Sequence, residues 1–249
     1  MQLVEPSLKE RLWHKARADL VTYAPQIVGN GTLMCCACGR FLPQDKFDIE
    51  HIIPQQALLD DPPEIKSNPI ATKAIRSGTI LLCKEPLRVR GATIYRNGCN
   101  SWKGRFFDTP IREALNGRIQ KRFTDQHLIA LLCMAYLAMF GQFGYRAVLI
   151  QSGLLMRQQF FSPKRFHKEM PRLSKLVLRG QPPDDVLQHL GFWLTPFNFS
   201  VEGGSCHVTC RNVAIPAPIS RDPRLPLARH LQIIPNEYGL RPNFQTSFH

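Results

Sequence analysis

The chain has 249 residues, of which 44% are hydrophobic and 20% are charged. This balance excludes the composition that keeps chains disordered and is typical of a globular protein. The formal charge of +13, from 32 Lys and Arg against 19 Asp and Glu, favours a polyanionic partner, with nucleic acid as the first candidate. The alternative is a basic protein whose charge serves only solubility.

The N-terminal segment predicts an amphipathic helix over residues 6–23. Apolar side chains recur there every fourth residue on one face, at Leu8, Leu12, Ala16 and Leu20. The first 20 residues carry charges throughout and lack the apolar stretch of a secretory signal. We therefore expect a cytoplasmic protein.

Short β-prone runs broken by Pro and Gly come next and predict strands at residues 47–53 and 79–82. Beyond Pro110 the pattern changes, and it predicts helices at residues 111–123, 125–143 and 147–161. Thr124 suits the cap of the second of these helices. Its apolar stretch of about 13 residues is shorter than the roughly 20 needed to cross a bilayer, so we interpret it as a buried core helix.

The order of these elements predicts an α+β fold in three parts. The parts are an N-terminal helix (1–30), a cysteine-rich core (31–120), and an accessory region of helices followed by strands and loops (121–249). We expect the accessory region to pack on the core. Its clearest extended run is HVTCRNVAIP.

Four cysteines predict a metal site. Cys35 and Cys38 form a CxxC knuckle, whose spacing lets two thiolates from one tight turn reach the same tetrahedral ion. Cys83, at the end of TILLC, and Cys99, in NGCN, can supply the other two ligands. Because disulfides are rare in a reducing compartment, we expect a structural Zn²⁺ ion here. The alternative for Cys83 is a buried core residue, and Cys36 faces away if its neighbours bind.

Two further motifs accompany the cysteines: DIEHIIPQ, residues 48–55, and CNSWKGRFFD, residues 99–108. Glu50 and His51 point to opposite sides of an extended segment, but at a strand end both can approach one phosphate. Asn100 is expected at the start of a helix, with Lys103 one turn later. Taken in order, CxxC, EHIIP, LLC and CNxxKG resemble the HNH endonucleases, over roughly residues 33–110.

This resemblance implies a ββα-metal fold, in which a β-hairpin and a following helix present the catalytic groups. By position it implies that His51 is the general base and that Glu50 and Asn100 bind a catalytic divalent ion, Mg²⁺ or Mn²⁺. Phosphodiester hydrolysis needs such a base and such a cation. The zinc is structural in this interpretation, because four thiolates leave no open coordination position.

The chain departs from the family pattern before the third cysteine. The family usually places an asparagine there to brace the loop that carries the histidine, whereas this segment reads SGTILLC. Three residues remain candidates for that role: Asn68, Ser77 and Thr79.

A second departure separates Cys83 from Cys99 by an insertion, which is either a basic hairpin that contacts nucleic acid or a solvated loop. Ten basic residues lie between Lys84 and Arg122, against three acidic ones, so the positive charge is concentrated around the motif. The expected nucleic-acid contacts are Lys84, Arg88, Arg90, Arg96, Lys103 and Arg105.

These features together predict a metal-dependent endonuclease acting on double-stranded DNA, possessing no membrane partner and serving in restriction or phage defence. The alternatives are a non-catalytic, zinc-dependent DNA-binding module and an RNA-directed nuclease. A second metal site at Cys206, His207 and Cys210 is not expected, because residues four apart in a strand are separated by roughly 13 Å.

Overall fold

The structure, a computed structural model, describes residues 5–89, 92–116, 123–149, 174–175, 177–180, 182–202 and 205–217. It is an α+β fold, as predicted, in which helices pack against small antiparallel sheets. The helices are α1 (Leu8–Tyr23), α2 (Gln55–Leu58), α3 (Pro63–Ser67), α4 (Lys73–Ser77), α5 (Gly98–Phe106), α6 (Asp108–Leu115), α7 (Asp125–Phe143), α8 (Tyr145–Leu149) and α9 (Leu190–Leu194). The strands are β1 (Thr32–Met34), β2 (Phe41–Pro43), β3 (Phe47–His51), β4 (Thr79–Cys83), β5 (Leu87–Val89), β6 (Ala92–Tyr95), β7 (Leu178–Arg179), β8 (Phe197–Glu202), β9 (Ser205–Cys210) and β10 (Val213–Ala217).

Helix α1 confirms the amphipathic pattern of the N-terminal segment. Its first turn is closed by a capping box, in which the Ser7 side chain accepts a hydrogen bond from the Glu10 amide and the Glu10 carboxylate accepts one from the Ser7 amide. Trp13 and Leu20 are buried. The Trp13 ring packs edge-on against Phe47 of β3, with centroids 5.6 Å apart. Helix α1 therefore packs against the strand that carries the central motif.

Strands β3 and β4 pair in antiparallel register, with His51 opposite Thr79. The predicted strand at residues 47–53 ends at His51, two residues early. The amides of Ile52 and Ile53 still bond to the carbonyls of Gly78 and Ser77, but Ser77 is the last residue of α4 and Gly78 is its C-cap, so no strand lies opposite them. The chain leaves the ladder there and turns towards α2.

The insertion between Cys83 and Cys99 forms a hairpin, since β5 and β6 pair antiparallel with an irregular register near Arg88. Helix α5 follows directly, so Asn100 lies in its first turn, as the sequence predicts. Helix α6 begins three residues before the predicted start at 111, because Pro110 is tolerated in the first turn of a helix. Residues 117–122 of that predicted helix, and most of the one predicted at 147–161, lie outside the described residues.

Helix α7 has the predicted bounds and the predicted cap. The Thr124 side chain accepts a hydrogen bond from the His127 amide at 3.4 Å. The helix is long and apolar enough to cross a membrane, yet each residue from Leu128 to Phe140 is buried, so it is the core helix of this fold. The Tyr136 hydroxyl donates to the Cys36 carbonyl at 2.6 Å. This bond fastens α7 to the cysteine knuckle.

The C-terminal strands form one antiparallel sheet in the order β7-β10-β9-β8. The run HVTCRNVAIP becomes the β9–β10 hairpin, with Arg211 at its turn in a left-handed conformation (φ 50°). Val208 and Val213 of this hairpin belong to the same hydrophobic cluster as α7 and the cysteines. Helix α7 and this hairpin therefore share one core with the cysteine-rich part, whereas Trp193 of α9 belongs to a smaller cluster with Ile65 and Ala71.

A buried ion network also joins this hairpin to α4. The Asp61 carboxylate accepts hydrogen bonds from the Arg211 guanidinium at 2.6 and 3.0 Å, and it forms an ion pair with Arg76 of α4 as well. Asp61 and Arg76 are 3% and 5% exposed. Breaking a buried pair from one side typically costs about 3–5 kcal/mol, so this network holds α4 firmly.

Candidate metal centre and active site

The four cysteines predicted to bind zinc converge in the structure. Their Sγ atoms all lie within 4.8 Å of one another, and all four residues are buried. Individual separations are 3.3 Å between Cys83 and Cys99, 3.5 Å between Cys38 and Cys83, and 3.9 Å between Cys35 and Cys99. Around a tetrahedral Zn²⁺ with Zn–S bonds of about 2.3 Å, sulfurs lie about 3.8 Å apart. The cluster can therefore hold a zinc ion.

Two glycines allow these sulfurs to meet. Gly39 has a positive φ of 74° and donates from its amide to the Cys35 carbonyl at 2.7 Å, which closes the knuckle. Gly98 has φ 72°, and a Cβ atom there would lie 2.4 Å from the backbone of Lys84. Only a residue without a side chain fits at Gly98. This close approach brings Cys99, at the start of α5, next to Cys83, at the end of β4.

Arg40 is a functional residue that the sequence did not indicate. Its guanidinium donates to Cys38 Sγ and to Cys83 Sγ, each at 3.4 Å. Its remaining donors reach the carbonyls of Glu85 at 3.0 Å and Pro86 at 2.9 Å. Arg40 therefore places positive charge beside the thiolates and ties the cluster to the hairpin. Its position two residues after the knuckle is the one cue that the sequence offers.

The thiols of the cluster differ in acidity. Burial raises the pKa of Cys35 and Cys99 well above the ordinary value. Burial also acts on Cys38, but hydrogen bonds from the other three thiols and the charge of Arg40 outweigh it and place its pKa well below the ordinary value. The charge of Arg40 thus favours the thiolate form of Cys38.

His51 stands at the end of β3 with a half-buried ring. Its Nδ1 lies 2.6 Å from Ser77 Oγ, and Ser77 Oγ lies 2.7 Å from the Lys73 carbonyl. A carbonyl only accepts, so the serine hydroxyl donates to it and accepts from Nδ1–H. The neutral ring then keeps its lone pair on Nε2. Burial, followed by the charges of Lys103 and Lys73, lowers the pKa of His51, which favours this neutral form.

Ser77 is therefore the residue that braces the histidine, among the three that the sequence left open. It is fully buried at the end of α4. Asn68 is engaged locally, because its side chain accepts from the Ile70 amide at 2.9 Å. Thr79 lies opposite His51 in the strand register.

Glu50 is 7% exposed, and its Oε1 lies 2.7 Å from the Nζ atom of Lys103. Lys103 also donates to Asp108 Oδ1 at 2.7 Å and to the His51 carbonyl at 3.0 Å. Burial raises the pKa of Glu50, and the charge of Lys103 opposes that effect. Lys103 was expected among the nucleic-acid contacts. The structure contradicts this expectation, because the Lys103 ammonium is fully buried between two carboxylates and cannot reach a nucleic acid.

Helix α5 crosses β3 at these residues. The Asn100 side chain donates from Nδ2 to the Ile49 carbonyl at 3.4 Å, a contact between residues 51 positions apart. The bond engages Nδ2 and leaves Oδ1 as a possible metal ligand. The structure thus places Asn100 beside the strand that carries Glu50 and His51.

The other basic residues of the motif region are mostly at the surface. Lys84, Arg96 and Arg105 are exposed. The Arg105 guanidinium lies 5.4 Å from the Phe106 ring centroid. The side chain of Arg88, and Arg90 as a whole, lie outside the described residues. A nucleic-acid contact stays a prediction for all of these side chains.

A second metal site was not expected near residue 206. Among the side chains that the structure describes, the four-cysteine group is the one set of three or more His, Cys, Asp or Glu residues close enough to share an ion. Cys210 is buried, and the Cys206 side chain lies outside the described residues.

No family model matches the chain, and no curated protein or solved structure matches it either. The site is therefore interpreted from its own residues and their geometry.

Proposed function

We propose that the protein is a metal-dependent endonuclease of the HNH type, which hydrolyses phosphodiester bonds in DNA. The observation that carries this proposal is the anchored imidazole of His51. Its Nδ1 lies 2.6 Å from Ser77 Oγ. The ring stands at the end of the β3–β4 pair, which α5 contacts through Asn100 and which the four-cysteine cluster adjoins at Cys83. The resemblance to the HNH endonucleases implies that His51 is the general base, and its anchored ring supports that role.

In this proposal Nε2 of His51 takes a proton from the attacking water. A base must be unprotonated at the working pH and must be held within hydrogen-bond reach of the water. The lowered pKa of His51, caused first by burial, meets the first condition. The bond to Ser77 supports the second, because it fixes the ring orientation and leaves the lone pair of Nε2 free to accept a proton.

Glu50 and Asn100 would hold the catalytic ion. Both offer oxygen ligands, which suit Mg²⁺ or Mn²⁺, and such an ion offsets charge on the scissile phosphate. Lys103 engages one carboxylate oxygen of Glu50. Lys103 therefore orients Glu50 and opposes the effect of burial on its charge.

The preference for nucleic acid rests on charge. A formal charge of +13 attracts a polyanion, and the exposed Lys84, Arg96 and Arg105 flank the motif on the hairpin and on α5. Salt dependence of binding would measure this contribution directly.

The direct test is incubation of the zinc-loaded protein with supercoiled plasmid, with and without added Mg²⁺ or Mn²⁺. We expect ion-dependent cutting, and we expect His51→Ala to lower it by roughly 10²- to 10⁴-fold, the usual contribution of a general base. The folding control is the zinc content and the thermal midpoint of His51→Ala, which should match the wild type. Cutting by His51→Ala at the wild-type rate would remove His51 from the mechanism.

A second candidate function is a zinc-dependent DNA-binding module without catalysis. The pairing of Glu50 with Lys103 at 2.7 Å favours it, because a purely structural ion pair would look the same. DNA binding without added ion, together with no cutting under any ion, would select this candidate. Parallel digestion of single-stranded RNA and duplex DNA separates both candidates from an RNA-directed nuclease.

A further inference from the structure

Helix α4 carries one more cation at the candidate active site. Lys73 and Ser77 are four residues apart and therefore lie on the same face of this helix. Ser77 is the residue that holds Nδ1 of His51, and its hydroxyl donates to the Lys73 carbonyl at 2.7 Å. The face of α4 that meets the histidine is thus also the face from which the Lys73 side chain projects.

The charge of Lys73 acts at the imidazole. After burial and Lys103, it is the remaining cause that lowers the pKa of His51. Lys103 is fully buried between Glu50 and Asp108, whereas Lys73 is exposed. Lys73 is therefore the solvent-facing cation of the two.

Lys73 also differs from the neighbouring cation on its own helix. Arg76 is buried and paired with Asp61. Within the described part of the chain, Lys73 forms no ion pair with a carboxylate. An exposed ammonium is a compact point charge with three rotatable donors and binds phosphate well.

We infer that Lys73 binds a backbone phosphate of the nucleic acid beside the bond that is cut. This inference rests on the proposed function and adds to it a substrate contact. If Nε2 of His51 faces the attacking water, the scissile phosphate lies next to the ring. An ammonium on the same face of α4 then meets that phosphate or the adjacent one.

The test is equilibrium binding, which needs no cleavage. Anisotropy of a fluorescein-labelled duplex is measured against NaCl concentration without added Mg²⁺, for the wild type, Lys73→Gln, Lys73→Arg and Lys66→Gln. Each lost phosphate contact lowers the slope of log K against log salt by about 0.9. We expect this loss for Lys73→Gln and a wild-type slope for Lys73→Arg. Lys66→Gln is the matched control, since Lys66 is exposed nearby and its ammonium donates to the Leu59 carbonyl at 3.3 Å.

The outcomes separate the inference from the proposed function. A wild-type slope for Lys73→Gln, with duplex binding intact, overturns the inference even if the protein cuts plasmid. A reduced slope for both Lys73→Gln and Lys66→Gln also overturns it, because the effect is then general charge. A reduced slope for Lys73→Gln alone supports the phosphate contact even if no cutting is found. Equal zinc content and thermal midpoints exclude misfolding.

Discussion

The four-cysteine cluster and the candidate active site both use the β3–β4 pair and helix α5, but they are built differently, and Cys35 and Cys38 come from the knuckle between β1 and β2. The cluster is closed, because four buried sulfurs face one another and Arg40 supplies the opposing charge. The candidate active site is partly accessible, since the His51 ring is half-buried, while Glu50 is buried and paired with Lys103. The comparison teaches that the cluster is suited to stabilising the fold, whereas the candidate active site leaves one side chain accessible to a ligand. Substitutions in the two places should therefore have different effects.

The largest expected effect is that of Cys38→Ser, which removes one of the four ligands of the cluster. Zinc sites of this kind contribute about 10–16 kcal/mol in small domains, so we expect loss of zinc together with loss of folded protein. Metal content by mass spectrometry and circular dichroism measure both. Cys133→Ala is the matched control, because Cys133 is buried in α7 outside the cluster. If Cys38→Ser keeps its zinc, the assignment of the ligands is wrong.

Gly98→Ala should destabilise the cluster indirectly, because Gly98 is not a ligand but precedes the ligand Cys99. The positive φ and the approach of 2.4 Å to the Lys84 backbone make a methyl group there costly, by roughly 3 kcal/mol. Urea denaturation of the zinc-loaded protein measures this cost. Gly104→Ala on the same helix is the control, because its nearest atom lies at 3.7 Å, and we expect no destabilisation. Equal stability of the two variants would contradict the close approach at Gly98.

Ser77→Ala should change the active site and leave the cluster intact. It removes one hydrogen bond from the His51 ring, worth about 1 kcal/mol, so we expect kcat for plasmid cutting to fall by about fivefold. KM and zinc content should stay at wild-type values. Thr79→Ala is the control, because Thr79 was the competing candidate for the same role. A larger loss in Thr79→Ala would make Thr79 the bracing residue.

The smallest expected effect is that of Arg40→Gln. The cluster keeps its four ligands but loses the charge beside Cys38 and Cys83. Because Arg40 is only half-buried and a solvent-screened charge pair contributes about 0.2–1 kcal/mol, zinc should leave to a competing chelator only several-fold faster. Chelator absorbance over time gives this rate. The fold at neutral pH should persist. Arg11→Gln, on the exposed face of α1, is the control and should release zinc at the wild-type rate.

Much of the fold could be predicted because its signals are local. The bounds of α7 follow from Thr124 and an apolar run, and α1 follows from one apolar face. The metal ligands could be predicted because CxxC and two further cysteines leave few combinations. In each case the residue type and its near neighbours are sufficient.

The rest depended on contacts between distant residues. Nothing in the neighbourhood of Lys103 reveals that it is buried, because that depends on Glu50, 53 positions earlier, and on how α5 crosses β3. Ser77 could be proposed but not chosen, since its bond to His51 spans 26 positions. Arg40 gave no motif signal. Lys103, Ser77 and Arg40 orient other side chains or compensate their charge. A sequence motif indicates the side chains that they support and not these supporting residues.

The ion network of Arg211, Asp61 and Arg76 has a consequence for any attempt to isolate a smaller fragment that carries the candidate active site. Asp61 and Arg76 lie within residues 31–120, but Arg211 reaches them from a hairpin 150 positions away from Asp61. A fragment of residues 31–120 would lack Arg211, which is one of the two guanidinium groups that compensate the buried Asp61 carboxylate. The other is Arg76, on the helix that also carries Ser77. We therefore expect an isolated fragment to fold stably only if it includes the β9–β10 hairpin, although that hairpin holds none of the proposed catalytic groups.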